Sequence, residues 1–166
     1  MNGTHFKKGI AEEAQSTDLS ASVSAMLQDL EAGGEAVAQR MARELDGFDG
    51  QIVVSEQTIA DACARVPQGL KDDIAYAHEN IARFARAQRD SITETEVELR
   101  PGLIAGQRLI PVQAAGCYVP GGRYSHIASA MMTVTTARVA GVPHIAAVSP
   151  PRPGAPGGIP DAILYT

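Results

Sequence analysis

Residues 116–126 read Gly-Cys-Tyr-Val-Pro-Gly-Gly-Arg-Tyr-Ser-His, and residues 127–134 continue as Ile-Ala-Ser-Ala-Met-Met-Thr-Val. This order predicts a short buried strand, a glycine turn and then the first turns of a helix. The first amide groups of such a helix have no partners within it, and they carry the positive end of the helix dipole. The stretch therefore predicts a binding place for an anion, such as a phosphate, carboxylate or sulfonate.

The residues of this turn have more than one interpretation. Gly121 and Gly122 allow the main chain to approach a ligand closely and to adopt positive φ. The side chains of Tyr118, Arg123 and His126 are able to stack, pair or donate hydrogen bonds around it. A tight turn without a ligand explains the same glycines, and pairing with a surface carboxylate explains the arginine. The histidine is either an acid–base group or a neutral hydrogen-bonding group, because a helix N-terminus disfavours its cationic form.

The residues that follow complete one strand–helix–strand unit. A helix is predicted over residues 125–140, and Gly141 followed by Pro143 ends it. The apolar run 144–149 is typical of a parallel strand that is covered on both faces. Residues 150–158 predict an irregular loop, and residues 160–165 predict the start of another helix. Since one such unit is too narrow to bury both faces of its sheet, we expect the chain to be a fragment.

Two helices are predicted before residue 46. Asp18 is suited to cap the first helix, and Gly33-Gly34 ends it. Residues 35–45 form the second helix, residues 46–50 a turn and residues 51–54 a short extended piece. The apolar residues that share a face of the first helix are Val23, Met26, Leu27 and Leu30.

A longer helix and a β-hairpin are predicted next. Ser55 and Thr58 begin a helix that runs to about Val66, and Pro67 suits the first turn of the following one. That helix extends to about residue 90. Alternation over 94–100 predicts a half-exposed strand, with one buried and one exposed face. After the turn at 101–102, residues 103–112 are predicted to form the returning strand of a hairpin. The apolar stripe of the long helix consists of Leu70, Ile74, Ala77, Ile81, Phe84 and Ala85.

Composition narrows the class of protein. The chain has 166 residues, 45% of them apolar and 20% charged, which is ordinary for a globular protein. A net charge of −5 without a basic block argues against nucleic-acid binding. We see no signal peptide and no run near the roughly 20 apolar residues of a membrane span. Cys63 and Cys117 lack metal or redox spacing, so we expect a reduced, cytoplasmic protein without membrane contact.

Familiar catalytic motifs are not found in the sequence. The dinucleotide motif GxGxxG does not occur, and the second strand ends in Ser149-Pro150 without an acidic residue. Ser125 and His126 are adjacent and cannot form a nucleophilic pair, and GxSxG is absent. The histidines lack metal spacing, so we assign no metal ligand to this chain. The residues alone predict only an α/β chain with an anion-binding turn. The histidines are His5, His78, His126 and His144.

Several motifs together resemble the histidinol dehydrogenase family. They are YVPGG at 118–122, SAMMT at 129–133, ARVAG at 137–141 and SPP at 149–151. The resemblance extends back to NIARF at 80–84 with Gln88, and to the strand pair between 98 and 112. It covers nearly all of the chain from about residue 18.

This resemblance implies a fold, an activity and cofactors. Family members are zinc-requiring, NAD-dependent homodimers that oxidise a primary alcohol through an aldehyde to a carboxylate, reducing two NAD. By resemblance, Tyr118 contacts NAD, and Gly121 and Gly122 form the turn beside it. The zinc ligands and the acid–base pair are expected in the part of the chain that follows, so this piece alone is expected to be inactive.

The resemblance also gives the predicted organisation. The fold class is α/β, with an N-terminal helical region and a β-hairpin followed by the start of an incomplete Rossmann-like parallel sheet. We expect a flexible lead-in over residues 1–17, and a helical region with a hairpin over 18–113. Residues 114–166 would form the first part of the NAD-binding domain.

The residues after the glycines bear on the substrate. Segment 123–129, Arg-Tyr-Ser-His-Ile-Ala-Ser, resembles the sulfopropanediol 3-dehydrogenases, the branch that acts on 2,3-dihydroxypropane-1-sulfonate. A turn carrying Arg123 and His126 suits a sulfonate better than the cation histidinol, so both are predicted to shape the anion end of the substrate pocket. A true histidinol dehydrogenase is the alternative. A non-catalytic module that binds a nucleotide or a partner is a third hypothesis.

Overall fold

A computed structural model of the chain describes residues 16–121 and 124–166, except for the side chains of residues 16–18. Residues 1–15 of the predicted lead-in lie outside this description. The chain divides into two compact units, Met1–Ile52 and Val53–Thr166. The boundary predicted at residue 114 stays a prediction.

The first unit contains helix α1, Ser16–Asp46, which is kinked at Gly34. There φ is 55° and ψ is −136°, so the interruption predicted at the glycine pair is confirmed. The predicted cap at Asp18 is wrong, because the helical backbone already begins two residues earlier. Gly47, with φ of 62°, ends the helix as its amide donates to the carbonyl oxygen of Arg43 at 3.1 Å. The turn predicted at 46–50 is thereby confirmed.

The second unit begins with helices α2, Glu56–Arg65, and α3, Gln68–Asp90. Ser55 caps α2, since its Oγ accepts from the amide of Thr58 at 3.1 Å. Pro67 is the N-cap of α3 rather than a residue of its first turn. The extended piece predicted at 51–54 forms no strand within the described chain, where residues 52 and 53 are bends.

The buried face of α3 differs from the predicted stripe at one large residue. Ile74, Ala82 and Ala85 are buried, whereas Phe84 is 67% exposed. Consecutive helical residues point about 100° apart, so a residue next to Ala85 lies at the edge of this face. The buried face therefore includes Ala82, which the predicted stripe lacked, and leaves out Phe84.

Strands β1, Thr95–Arg100, and β2, Leu103–Gln107, form the predicted antiparallel hairpin. Gly102, with φ of 79°, provides the turn. The strand predicted to reach residue 112 ends earlier, because Gln107 already pairs with the first residue of β1. Beyond it, the amide of Leu109 donates to Glu94 Oε1 at 3.0 Å. Every residue of the hairpin strands is exposed, and the half-buried face that was predicted is wrong.

Strand β3, Ala114–Tyr118, helix α4, Ile127–Val139, and strand β4, His144–Val148, form the predicted parallel unit. The register runs from Ala114 opposite His144 to Tyr118 opposite Val148. Gly141, with φ of 85°, follows α4 as predicted. Helix α4 packs against both strands and against α3. The buried residues of this unit are Cys117, Val119, Ala130, Met131 and Thr135.

The faces of β4 are less covered than its sequence predicts. Its residues are exposed or half-buried, although the apolar run is typical of a strand covered on both sides.

The following loop contains one 3₁₀ turn, Pro156–Gly158, within the region predicted to be irregular throughout. Helix α5, Asp161–Tyr165, then packs against α2. The order of helical region, hairpin and parallel pair confirms the predicted α/β class.

Candidate functional site

Two loops meet at the carboxyl ends of the parallel strands. One connects β3 to α4 over residues 119–126, and the other connects β4 to α5 over residues 149–160. Because β3 and β4 run in the same direction, both loops leave the sheet at one edge. Ligands bind at this edge in open α/β sheets.

Tyr118 is the last residue of β3, and its side chain is 60% exposed. Its neighbours Cys117 and Val119 are buried, at 5% and 1% exposure. Side chains alternate along a strand, so burial of these neighbours directs the phenol away from the core. The structure thus places Tyr118 at the edge where it can contact a ligand.

The backbone conformation of Gly121 differs from the expected one. Its φ lies outside the left-handed region, so the expected positive φ is wrong. A Cβ at this position would lie 3.2 Å from both Cβ and Cγ of Pro150. The glycine therefore permits close contact between the two loops. Gly122 and Arg123 lie outside the described residues, and their predicted roles remain predictions.

His126 is the N-cap residue of α4 and is half-buried. Its carbonyl oxygen accepts from the amides of Ser129 and Ala130, at 3.0 and 3.2 Å. In the described part of the chain no side chain caps this helix, and its first turn carries no acidic residue. The positive end of the α4 dipole is therefore not neutralised by a carboxylate of its own first turn.

Arg152 is the site residue that the sequence did not reveal. Its Nη1 donates to Ser125 Oγ over 3.4 Å, which brings a guanidinium next to the residue preceding His126. Arg152 takes part in further interactions besides this one. Arg152 and Ser125 are 27 positions apart in the sequence, so no local sequence pattern could indicate their contact. Arg152 comes close to Ser125 only because β3 pairs with β4.

The loop that carries Arg152 is tied to α2. Asp161 accepts from Nη2 and Nε of Arg65, at 2.6 and 2.8 Å. The hydrogen bond from this guanidinium lowers the pKa of Asp161, and the same bond raises the pKa of Arg65. An arginine and a carboxylate in this two-bond geometry fix each other's orientation.

Other features of the described residues do not form a competing site. No group of three or more His, Cys, Asp or Glu residues is placed there to hold a metal ion. An open groove lined by residues 114–116 and 143–146 lies at the opposite, amino-terminal ends of the strands, with His144 as its polar side chain. Among the described helices, none has the length and apolar character that a bilayer crossing needs. The candidate site is therefore the carboxyl edge.

Comparison with known proteins decides the family. The histidinol dehydrogenase family model matches residues 10–166. The chain belongs to the histidinol dehydrogenase family. The predicted family resemblance is thereby confirmed over nearly the whole sequence.

Individual members of the family show how far the similarity reaches. The chain is 53% identical over 159 residues to a sulfopropanediol 3-dehydrogenase of Ruegeria pomeroyi, covering 96% of this chain and 36% of that protein. It is 58% identical over 143 residues to a histidinol dehydrogenase homolog of the same organism, covering 86% and 33%. The predicted likeness to the sulfopropanediol branch is thus confirmed. The chain spans about a third of the length of these curated relatives.

A solved structure supports the fold assignment. The crystal structure of histidinol dehydrogenase from Elizabethkingia anophelis matches with a TM-score of 0.78 and 26% identity. The match covers 96% of this chain and 35% of that one. The helical region, hairpin and parallel strands described above therefore follow the fold of this family.

Proposed function

We propose that this chain is the cofactor-binding part of an NAD-dependent alcohol dehydrogenase of the histidinol dehydrogenase family. The proposed reaction oxidises the primary alcohol of 2,3-dihydroxypropane-1-sulfonate to the carboxylate of sulfolactate. The observation that supports it most is the guanidinium of Arg152 beside Ser125, close to the start of α4 and at the same edge of the sheet as the exposed Tyr118. A cation, a hydroxyl group and a helix N-terminus together favour an oxyanion.

The donors at this edge suit a dinucleotide. The pyrophosphate of NAD is an anion with several acceptor oxygens, and the amides that begin α4, Ser125 Oγ and Arg152 all donate. NAD, when bound, accepts a hydride from the alcohol carbon; two equivalents are needed to reach the carboxylate, whose second oxygen comes from water.

Each residue at this edge is then proposed to have one role in binding. Arg152 pairs with an oxyanion, and Ser125 donates a hydrogen bond to the same group. Tyr118 packs its ring against the dinucleotide and excludes water from that side. His126, half-buried at the N-cap of α4, is proposed to donate a hydrogen bond to the anionic group of the substrate. Gly122 is proposed to contribute to NAD binding, and Arg123 to bind the anionic group of the substrate.

We propose zinc as a cofactor of the whole enzyme, but we do not place it at the carboxyl edge of β3 and β4. The described residues offer no ligand group for it, and we derive no step of the reaction through it. We assign the zinc ligands and the acid–base pair to parts of the whole protein beyond the 166 residues of this chain. Homodimeric assembly and a cytoplasmic location belong to the same proposal.

The choice of substrate depends on charge. A sulfonate is drawn to the cationic edge at Arg152, whereas histidinol carries a positive charge and is repelled by it. Similarity to a sulfopropanediol 3-dehydrogenase favours the same choice. A true histidinol dehydrogenase is the second candidate, favoured by the structural likeness to a histidinol dehydrogenase over nearly the whole chain.

The test is turnover by the protein produced from its complete gene. NADH formation is followed with NAD and either 2,3-dihydroxypropane-1-sulfonate or histidinol as substrate. We expect reduction of NAD with the sulfonate, and slower reduction in an Arg152→Ala variant. Turnover of histidinol alone would replace the proposed substrate with the second candidate. Binding of NAD without turnover of any alcohol would instead favour a non-catalytic nucleotide-binding module.

A further inference from the structure

We infer that Arg65 on α2 is a positioning residue for the site, because it holds the loop that brings Arg152 to the start of α4. The inference rests on the proposed function, in which Arg152 binds an oxyanion of the cofactor or the substrate. It assigns a role to a helix that the proposed reaction does not otherwise use.

The first contact is the pair between α2 and α5. Asp161 is the first residue of α5, and both its carboxylate oxygens accept hydrogen bonds from Arg65, at 2.6 and 2.8 Å. The side chains are only 43% and 28% exposed, for Arg65 and Asp161 respectively. Two parallel bonds restrict rotation as well as distance, so they fix the end of the loop relative to α2.

A second contact lies two helical turns earlier on α2. Gly157, with φ of 68°, is close to Thr58, whose methyl carbon would lie 2.9 Å from a Cβ at residue 157. Lys71 Nζ lies 5.4 Å from the ring centre of Tyr165, which adds a contact between α3 and α5. The loop is therefore held to the helices at several places rather than by the ion pair alone.

Within the loop, main-chain hydrogen bonds transmit this position to Arg152. The amide of Arg152 donates to the oxygen of Gly158 at 2.6 Å, and its own oxygen accepts from Ala155 at 3.1 Å. Gly158 in turn donates to Ala155 at 2.9 Å. Residues 152–158 thus form a closed loop, and Asp161, three residues after it, is anchored on α2.

The position of this loop decides whether Arg152 reaches the site. Its contact with Ser125 spans 3.4 Å, close to the limit for a hydrogen bond, so a shift of about 1 Å breaks it. An oxyanion bound at the start of α4 would lose its guanidinium partner after the same shift. Arg65 therefore acts on binding through Arg152 and without touching the ligand.

The experiment is a double-mutant cycle in ligand affinity, with dissociation constants from isothermal titration. NAD and 2,3-dihydroxypropane-1-sulfonate are titrated separately, so the ligand whose affinity changes identifies the oxyanion as phosphate or sulfonate. We expect Arg152→Ala to weaken that ligand about tenfold, and Arg65→Ala or Asp161→Asn to weaken it about threefold to tenfold. In the Arg152→Ala background, Arg65→Ala should cause no further loss, because its effect passes through the missing guanidinium.

Arg89→Ala is the matched control. Arg89 has a similarly exposed side chain and donates to the carbonyl oxygen of Val139, at the opposite end of α4. Its removal should leave both affinities unchanged. Hydrogen exchange without ligand adds a readout that is independent of binding: the amides of Arg152 and Gly158 should exchange faster in Arg65→Ala and not in Arg89→Ala.

The outcomes separate the inference from the proposed function. Unchanged affinity in Arg65→Ala, or losses that add in the double variant, would overturn the inference while the proposed function stands. A wild-type protein that binds neither ligand would overturn both. If Arg65→Ala does not fold, Asp161→Asn keeps the size of the side chain and decides the question by the same measurements.

Discussion

The β1–β2 hairpin and the β3–α4–β4 unit are both two-stranded, yet only one of them has a core. Every residue of the hairpin strands is exposed, whereas Val119 and its neighbours on α4 are buried. The difference lies in the helices: α4 packs against both parallel strands, and α3 packs against α4. A turn and a fixed register are thus sufficient for two strands to pair. The edge of the pair becomes rigid only where helices cover the strands. The candidate site lies in the region that has them.

The largest difference between the two regions should come from burying a charge. Val119 is 1% exposed and Val97 in the hairpin is 55% exposed. We expect Val119→Asp to lower the free energy of unfolding by roughly 3–5 kcal/mol, because an unpaired carboxylate would enter the core. Val97→Asp should change it by less than about 0.5 kcal/mol. Urea unfolding followed by circular dichroism gives both values, and equal losses would refute the contrast.

The hairpin should respond instead to a change in its backbone. A Cβ at Gly106 would collide with the carbonyl oxygen of Thr95 on the partner strand, whereas a Cβ at Gly116 in β3 meets no atom within 4 Å. We expect Gly106→Ala to destabilise the hairpin by about 1–3 kcal/mol, since backbone atoms must move. Gly116→Ala is the control and should leave β3 intact. Cross-strand nuclear Overhauser effects between β1 and β2 report the change, and their persistence in Gly106→Ala would contradict it.

Local patterns were sufficient to predict most elements. The cap at Ser55, the glycine after α4 and the turn at Gly102 depend on residues close in sequence, and all three are confirmed. Exposure of Phe84 could not be predicted, because an apolar stripe does not show which part of it another element covers. The end of β2 depends on where its partner strand begins.

Only part of the candidate site could be predicted, because some of its contacts join residues that are far apart in the sequence. Tyr118 and His126 could be proposed from the sequence because they flank a strand end and a helix start, which leave local signals. Arg152 was missed because its approach to Ser125 requires the pairing of two strands and the closure of a second loop. Gly121 was predicted from its place in the turn, but its close approach to Pro150 was not, because no local pattern indicates it.

A smaller effect is expected where the two loops touch. A Cβ at Gly121 would lie 3.2 Å from Pro150, closer than ordinary contact. We expect Gly121→Ala to lower the free energy of unfolding by about 1 kcal/mol as the proline moves aside. Because this shift also displaces the loop that carries Arg152, NAD should bind more weakly. Thermal unfolding and an NAD titration test both, and tighter binding with unchanged stability would contradict the loop contact.

The smallest effect concerns pH. The hydrogen bond from Arg65 lowers the pKa of Asp161 in the folded chain, so the pair's contribution to stability is complete above the usual carboxyl pKa of about 4. It is lost as the pH falls through the lower, folded value. Between about pH 5 and pH 2, the wild-type melting temperature should therefore fall slightly more than that of Asp161→Asn. Parallel pH profiles of the two proteins would contradict this.

The measurement that tests the site most directly is a nuclear magnetic resonance titration of the isotope-labelled chain with NAD. The amide signals of Tyr118, Ser125, His126 and Arg152 report on the carboxyl edge, and those of Val97 and Ile104 in the hairpin serve as an internal reference. We expect shifts that saturate at the edge residues while the hairpin signals stay in place. Unchanged edge signals, or shifts confined to the hairpin, would contradict a dinucleotide site at the ends of β3 and β4.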